Sequence, residues 1–293
     1  MIEIVAAIAL IHSAPDGPDS SIYSRGEFTF PGGETRVVVL SYDDGPAQDR
    51  RWVELLNRYG IKGTFHLNSG RLGQAAEWME QQIGRPGEHV TANELKDLYA
   101  GHEISGHTVN HPYLTELQPP QVRLEVQQDV AALEQLAGYP VSGLAYPFGA
   151  HNEQVVQELV ASGVNHARTA QATGHFEVPG DFLRWNPTAH HSQALEAIHR
   201  FLDSTHRRPS VLMIWGHSWE FDADRSDNNW QLAESICTTL AGQDNLWSAG
   251  FGELVAYLEA VKGLQMVDGN WVNPSRTTVW IQTDSGARPI PPG

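Results

Sequence analysis

The stretch VVVLSYDDGP, residues 37–46, shows the pattern from which we predict the fold. It begins with a block of β-branched and aliphatic residues and runs directly into two adjacent carboxylates, Asp43 and Asp44, followed by Gly45 and Pro46. A short apolar block of this kind is typical of a strand that is buried on both faces, as in a parallel sheet. The two carboxylates therefore lie where a buried strand is predicted to end.

Five further short runs follow the same pattern, and amphipathic stretches with helical spacing lie between them. The runs are GTFHLN (63–68), GHEISGH (101–107), GLAYPFG (143–149), VNHARTA (164–170) and VLMIWGH (211–217). Strand and helix thus alternate along the chain, which predicts an α/β fold, either a (β/α) barrel or an open doubly wound sheet. In both folds the active residues lie at the carboxyl ends of the strands.

The pattern changes at both ends of the chain. Residues 1–36 contain the apolar stretch IEIVAAIALIH, in which Glu3 stands where a signal peptide would carry Lys or Arg. The stretch is too short to span a bilayer, so we expect an N-terminal arm with a short strand or packed segment and no transmembrane segment. Residues 264–293 alternate and carry turn residues, which predicts a C-terminal β-hairpin extension. The barrel is then expected to cover residues 37–263.

Composition excludes several classes of partner and site. The 293 residues include 19 Lys plus Arg and 35 Asp plus Glu, a formal charge of −16, which argues against binding to nucleic acid or anionic membranes. The chain has one cysteine, Cys237, so an intramolecular disulfide and a thiolate metal cluster are excluded. No glycine-rich nucleotide-binding motif is present. Any metal must therefore be held by histidine and carboxylate.

Ionisable side chains collect at the predicted strand ends, which suggests that they meet in one cleft. They are Asp43, Asp44, His66, His107, His111 and His217. HTVNH places His107 and His111 four residues apart, a spacing that puts two imidazoles on one face of a helical turn. With a nearby carboxylate they would make a three-ligand zinc set that leaves the fourth position open. One of the adjacent aspartates could then bind the metal while the other accepts a proton from the metal-bound water. The alternative is that DDGP only forms a turn, because Asp, Gly and Pro are all common in turns.

Five motifs in this order, SYDDGP, HTVNH, AYPFG, FLRWNP and MIWGHS, resemble those of the polysaccharide deacetylases, the fourth carbohydrate esterase family. The resemblance implies a distorted (β/α) barrel of about seven parallel strands and removal of acetyl groups from an N-acetylated glycan by metal-activated water. It also implies roles for individual residues. Asp43 corresponds to the base, Asp44, His107 and His111 to the metal ligands, and His217 to the general acid. The backbone N–H of Phe148 corresponds to a donor that stabilises the oxyanion.

Two positions depart from the family pattern. The arginine that begins the third motif and pairs with the base aspartate is replaced by Ala145. The acidic residue before the tryptophan of the fourth motif is replaced by Arg184. We therefore predict that Arg184 takes the place of the missing arginine beside Asp43.

Several aromatic residues near the motifs are candidates for substrate contact, because carbohydrate faces pack on aromatic rings. They are Tyr146, Trp185 and Trp215, and each could equally be a core residue. His66, at the end of GTFHLN, is a further candidate for substrate contact.

The resemblance leaves the substrate, the metal and the compartment open. An acetylated carbohydrate is the expected partner. The alternatives are an O-acetyl xylan esterase, a hydrolase of small C–N amides and a non-catalytic glycan-binding module. Zn²⁺ suits a His-His-Asp site, as do Co²⁺, Ni²⁺ and Mn²⁺. The family suggests a secreted or cell-envelope protein, whereas the absence of a clear signal peptide allows a cytoplasmic one. The oligomeric state is not predicted.

Overall fold

The computed structural model describes residues 27–204 and 208–293, and the predicted N-terminal segment at residues 2–12 lies outside them. Strands and helices alternate along most of this part of the chain. The strands are β1 (Phe28–Thr29), β2 (Arg36–Asp43), β3 (Gly63–Leu67), β4 (Ala75–Ala76), β5 (Gly87–Glu88), β6 (Glu103–Gly106), β7 (Gly143–Ala145), β8 (His166–Arg168), β9 (Ala189–His190), β10 (Ser210–Gly216), β11 (Leu246–Ser248), β12 (Gln265–Val267), β13 (Asn270–Val272), β14 (Val279–Thr283) and β15 (Gly286–Ile290). The helices are α1 (Asp49–Tyr59), α2 (Met79–Ile83), α3 (Leu95–Leu98), α4 (Pro119–Ala137), α5 (Glu153–Ala161), α6 (Ala194–Asp203), α7 (Trp230–Leu240) and α8 (Phe251–Lys262).

Seven parallel strands form the central sheet in the order β8-β7-β6-β3-β2-β10-β9, and β11 pairs with the start of β2. Strand β2 lies in the middle, where it pairs with β10 on one side and with β3 on the other. Its register places Asp43 opposite His66 and Tyr42 opposite Gly216. The carboxyl ends of these strands therefore lie along one edge of the sheet, as the sequence predicts.

The sheet curls into a half-barrel, and one extended segment links its two edge strands. The N–H of Trp185 donates to the carbonyl of Ala167 in β8 over 3.0 Å. Four residues after Trp185, the same segment forms the other edge strand, β9 (Ala189–His190), which pairs with β10. The prediction of a distorted barrel of about seven parallel strands is confirmed.

Local sequence signals account for most helix boundaries. Helix α1 ends at Gly60, which has a left-handed φ of 68°. Helices α5 and α7 begin after Asn152 and Asn229, whose side chains accept hydrogen bonds from the third following residue's N–H. Helix α8 was not predicted, because it has buried apolar residues on several sides and so lacks a clear amphipathic pattern.

The end of the chain forms two hairpins rather than the one that was predicted. Strands β12 and β13 pair with each other, whereas β14 and β15 form a three-stranded antiparallel sheet with β1. This small sheet is attached to the barrel through Tyr257 of α8, whose hydroxyl accepts from the N–H of Trp280 over 2.9 Å. Among residues 27–204 and 208–293, no helix has the length and apolar character needed to cross a bilayer.

Candidate metal centre

Asp44, His107 and His111 bring three potential ligand atoms together at the carboxyl edge of the sheet. Asp44 Oδ1 lies 3.6 Å from His107 Nε2 and 3.7 Å from His111 Nε2. Ligand atoms that are each about 2.0–2.1 Å from a tetrahedral ion are about 3.3 Å apart, so the spacing is close to that of a zinc site. The three side chains could therefore hold a divalent ion with little rearrangement.

The surroundings of His107 fit a metal ligand. Its Nδ1 lies 2.7 Å from the carbonyl oxygen of Ala145, which can only accept, so Nδ1 carries the hydrogen. Its Nε2 is buried and has no hydrogen-bond partner among the described residues. Burial lowers the pKa of His107 and lowers that of His111 to about 3, which keeps both imidazoles neutral. A buried imidazole lone pair without a donor is what a metal ion would satisfy.

The HTVNH segment is not helical, so the prediction that a helical turn sets the spacing of its two histidines is wrong. Thr108 and His111 have left-handed φ values of 70° and 58°. The side chain of Asn68 donates to the carbonyl of His107 over 2.6 Å, and Asp129 of α4 accepts from the N–H of His107 over 2.9 Å. An irregular loop held by neighbouring elements therefore brings the imidazoles together.

Asp43 lies beside this set and is paired with Arg168, not with Arg184. Arg168 Nη2 of β8 donates to both carboxylate oxygens of Asp43, and both side chains are buried. Burial opposes ionisation of Asp43, but the Arg168 guanidinium holds its pKa well below the usual range. Asp43 is therefore charged at neutral pH.

Arg184 pairs with other carboxylates, so the prediction that it pairs with Asp43 is wrong. It forms ion pairs with Asp181 at 2.5 Å and with Glu153 at 2.6 Å, and it is part-exposed. The pairing that the family places at the third motif is supplied here from the end of β8. A charge on the next strand along the chain can fill the same position because β7 and β8 lie side by side in the sheet.

His66 is linked to Arg168 through Ser41 and does not line the cleft, so the expectation of a substrate contact is wrong for it. Its Nε2 lies 2.8 Å from Ser41 Oγ, and Arg168 Nε donates to the same hydroxyl over 2.9 Å. His66 is completely buried, and burial lowers its pKa well below the ordinary histidine value. Its place is in the hydrogen-bond network that holds Arg168 against Asp43.

His217 lies beside the metal set and also contacts Glu220. Its Nε2 lies 3.9 Å from Asp44 Oδ2, and its Nδ1 lies 2.6 Å from Glu220 Oε1. Burial opposes a charge on His217, but the hydrogen bond to Glu220 and the charge of Asp44 raise its pKa to about 9. The imidazole is therefore protonated at neutral pH.

These groups line a cleft of about 630 Å³ with aromatic walls. The cleft residues include three of the predicted contacts, Phe148, Tyr146 and Trp215. Phe148 is 53% exposed and has a φ of 59°, whereas the hydroxyl of the buried Tyr146 donates to the carbonyl of Leu183 over 2.8 Å. Trp185 is not in the cleft, because it is buried in the core against Phe251, so the prediction of a substrate contact is wrong for it.

The family model for polysaccharide deacetylases matches residues 31–167, a segment that contains Asp43, Asp44, His107 and His111. Over that segment the chain is similar to the polysaccharide deacetylases. The resemblance predicted from the motifs is confirmed.

Curated relatives and a solved structure agree with this family. A peptidoglycan-N-acetylglucosamine deacetylase of Listeria monocytogenes is 28% identical over 124 residues, 42% of this chain and 23% of that protein. One from Bacillus cereus is 31% identical over 114 residues, 38% of this chain and 36% of that protein. The chain thus spans well under half the length of these relatives. A crystal structure of a Mycobacterium smegmatis protein provisionally named a polysaccharide deacetylase has a TM-score of 0.60 at 15% identity and covers 81% of this chain and 94% of its own, which shows the shared fold.

Three residues of the site were not predicted from the sequence: Arg168, Trp78 and Arg71. Arg168 was detectable as the one arginine inside the predicted strand VNHARTA, because a buried charge needs a partner. Trp78 and Arg71 line the cleft from the segment between β3 and α3, whose sequence carries no recognisable pattern. Nothing in the local sequence indicated that this segment would face the site.

Proposed function

We propose that this protein is a metal-dependent hydrolase that removes acetyl groups from an N-acetylated glycan, with N-acetylglucosamine polymers as the expected substrates. The supporting observation is the meeting of a His-His-Asp ligand set, the Asp43 carboxylate and the His217 imidazole in one cleft. The names of the curated relatives, peptidoglycan-N-acetylglucosamine deacetylases, favour the same substrate class.

The metal would be held by Asp44, His107 and His111, and Zn²⁺ is our first candidate because two imidazoles and one carboxylate suit it. Once bound, such an ion lowers the pKa of a coordinated water and polarises the acetyl carbonyl. The Nδ1–H of His107 donates to the carbonyl of Ala145, and this hydrogen bond orients the ring so that Nε2 would face the ion.

Asp43 and His217 are poised for opposite proton transfers. Asp43 is ionised at neutral pH because Arg168 compensates its charge, so it can accept a proton from the attacking water. His217 is protonated at neutral pH and can give its Nε2 proton to the leaving amine nitrogen. The N–H of Phe148, at the rim of the cleft, is our candidate donor for the oxyanion.

Acetate release from N-acetylglucosamine oligomers tests this function. The protein is stripped with a chelator and assayed alone and after addition of Zn²⁺, Co²⁺, Ni²⁺ or Mn²⁺. We expect acetate release only with metal, and acetylated xylan assayed in parallel separates an O-acetyl esterase from an N-deacetylase. No acetate from the oligomers under any metal would reject the proposal.

We further propose a secreted or cell-envelope location, because the relatives are named for action on peptidoglycan. Detection of the native protein in fractionated cells of its source organism tests this, and recovery only in the cytosolic fraction would contradict it.

A further inference from the structure

Glu220 is the centre of a cluster of hydrogen-bond donors beside the metal set. Its Oε1 lies 2.6 Å from His217 Nδ1 and 3.3 Å from His190 Nε2. Its Oε2 accepts from Asn228 Nδ2 over 2.7 Å and lies 3.4 Å from His191 Nε2. The residue is only 7% exposed, so a carboxylate with several donors is enclosed in the protein next to the cleft.

The neighbouring contacts indicate which ring nitrogens of the cluster carry hydrogen. His190 Nδ1 faces the backbone N–H of Ser192 at 3.4 Å, so it acts as the acceptor and Nε2 is left to donate to Glu220. Asn228 donates to the same carboxylate from the other side. Glu220 is thus held in position by groups other than His217, and its charge is stabilised by them.

A second metal site is the competing interpretation, since His190, His217 and Glu220 also bring ligand atoms close together. The distance between His217 Nδ1 and Glu220 Oε1 argues against it. At 2.6 Å these atoms are at hydrogen-bond distance, whereas two ligands of one tetrahedral ion are about 3.3 Å apart. A proton, not a metal ion, fits between them.

We propose that Glu220 is the positioning residue for the general acid: it binds the Nδ1–H of His217 and so leaves Nε2 directed at the leaving group. This inference rests on the proposed function. The fourth family motif, where an acidic residue is usual, carries Arg184 in this chain, and Arg184 faces Asp181 and Glu153 instead. In this chain the loop after β10 supplies the carboxylate that contacts His217.

The proposal predicts an effect that depends on the leaving group. Amide hydrolysis expels an amine, which must gain a proton as the C–N bond breaks, and His217 Nε2 supplies it. An aryl acetate such as 4-nitrophenyl acetate expels a phenolate, which is stable without that proton. Loss of the positioning residue should therefore slow amide hydrolysis far more than aryl ester hydrolysis, whereas a general structural defect would slow both.

The test compares Glu220→Gln with Asp222→Asn in the zinc-loaded protein. Asp222 lies two residues away and contacts Gln48 and Trp230, both at 2.7 Å, so its variant is a matched loop control. For Glu220→Gln we expect about a 10²-fold fall in kcat/KM on N-acetylglucosamine oligomers and less than about a threefold change on 4-nitrophenyl acetate, with zinc content unchanged. Equal losses on both substrates would overturn the proposal.

The hydrogen bond between His217 and Glu220 can also be observed by NMR spectroscopy, independently of any activity. In ¹H–¹⁵N spectra of the zinc-loaded wild type we expect a protonated, strongly hydrogen-bonded Nδ1 at His217, absent or shifted in Glu220→Gln and retained in Asp222→Asn. An unchanged His217 signal in Glu220→Gln would refute the positioning role. Asn228→Ala, which leaves Glu220 and the histidines intact, gives a second variant and should weaken the same signal. If the wild type releases no acetate but shows this signal, the proposed function fails and the positioning role stands.

Discussion

Replacing Arg168 with Met tests the ion pair with Asp43, for which the sequence led us to predict Arg184. Arg168 is completely buried and donates to Asp43, to Ser41 Oγ over 2.9 Å and to the carbonyl of Thr169 over 2.9 Å. Its guanidinium also lies over the ring of Trp215, 4.9 Å from the centroid. Met preserves much of the side-chain volume but removes every one of these donors.

The expected loss of stability follows from the burial of the Arg168–Asp43 ion pair. Removing one partner of a buried ion pair leaves an uncompensated charge, which typically destabilises a protein by about 3–5 kcal/mol. Arg184→Met is the matched control, because its ion pairs with Asp181 and Glu153 are part-exposed and such pairs contribute about 1 kcal/mol or less. We also expect Arg168→Met to lose activity, since Asp43 would no longer be held as a charged base.

Urea unfolding of the metal-free proteins measures the free energies of unfolding, and acetate release from the metal-loaded proteins measures activity. Arg168→Met should lower the midpoint strongly, and Arg184→Met should change it little. The same experiment on Arg168→Lys should show partial recovery, because lysine restores the charge but not the several directed donors. Wild-type stability and activity in Arg168→Met, or a larger effect in Arg184→Met, would show that the buried Arg168–Asp43 pair does not have this role.

Three further predictions concern neighbouring residues. Asp44→Asn should lose bound zinc during dialysis while Asp43→Asn keeps zinc and loses activity, as measured by metal analysis; equal zinc loss in both would contradict the division of roles. Burial raises the pKa of Asp49 to about 7 from an ordinary value of 3.8, so the folded protein binds this proton more tightly than the unfolded chain does. The free energy of unfolding should therefore fall as the pH rises from about 4 to about 7. Asp49→Asn should flatten that slope in urea unfolding, and parallel pH curves for variant and wild type would argue against it. A Cβ added at Gly216 would lie 2.2 Å from His191 Nδ1, so Gly216→Ala should destabilise the protein by about 1–3 kcal/mol in thermal unfolding, and an unchanged midpoint would show that His191 can move aside.

The pattern of the sequence was sufficient for the strands and for most of the site. Apolar runs buried on both faces predicted the parallel sheet, and the residues that follow them predicted one cleft at its carboxyl edge. Local signals such as Gly60 and Asn152 account for where helices end and begin. These features depend on neighbours in the chain, so periodicity and capping chemistry report them.

Only the tertiary structure decided which side chains meet across the sheet. Asp43 and Arg168 are 125 residues apart in the chain, and their pairing depends on how the sheet curls from β2 round to β8. The geometry of HTVNH likewise depends on Asn68 and Asp129, which come from other elements. From the sequence and its family pattern we predicted an arginine beside Asp43, and an isolated charge in the interior is too costly to be left without such compensation. Which cation supplies that compensation is a matter of strand order and register, and these emerge only when the chain is folded.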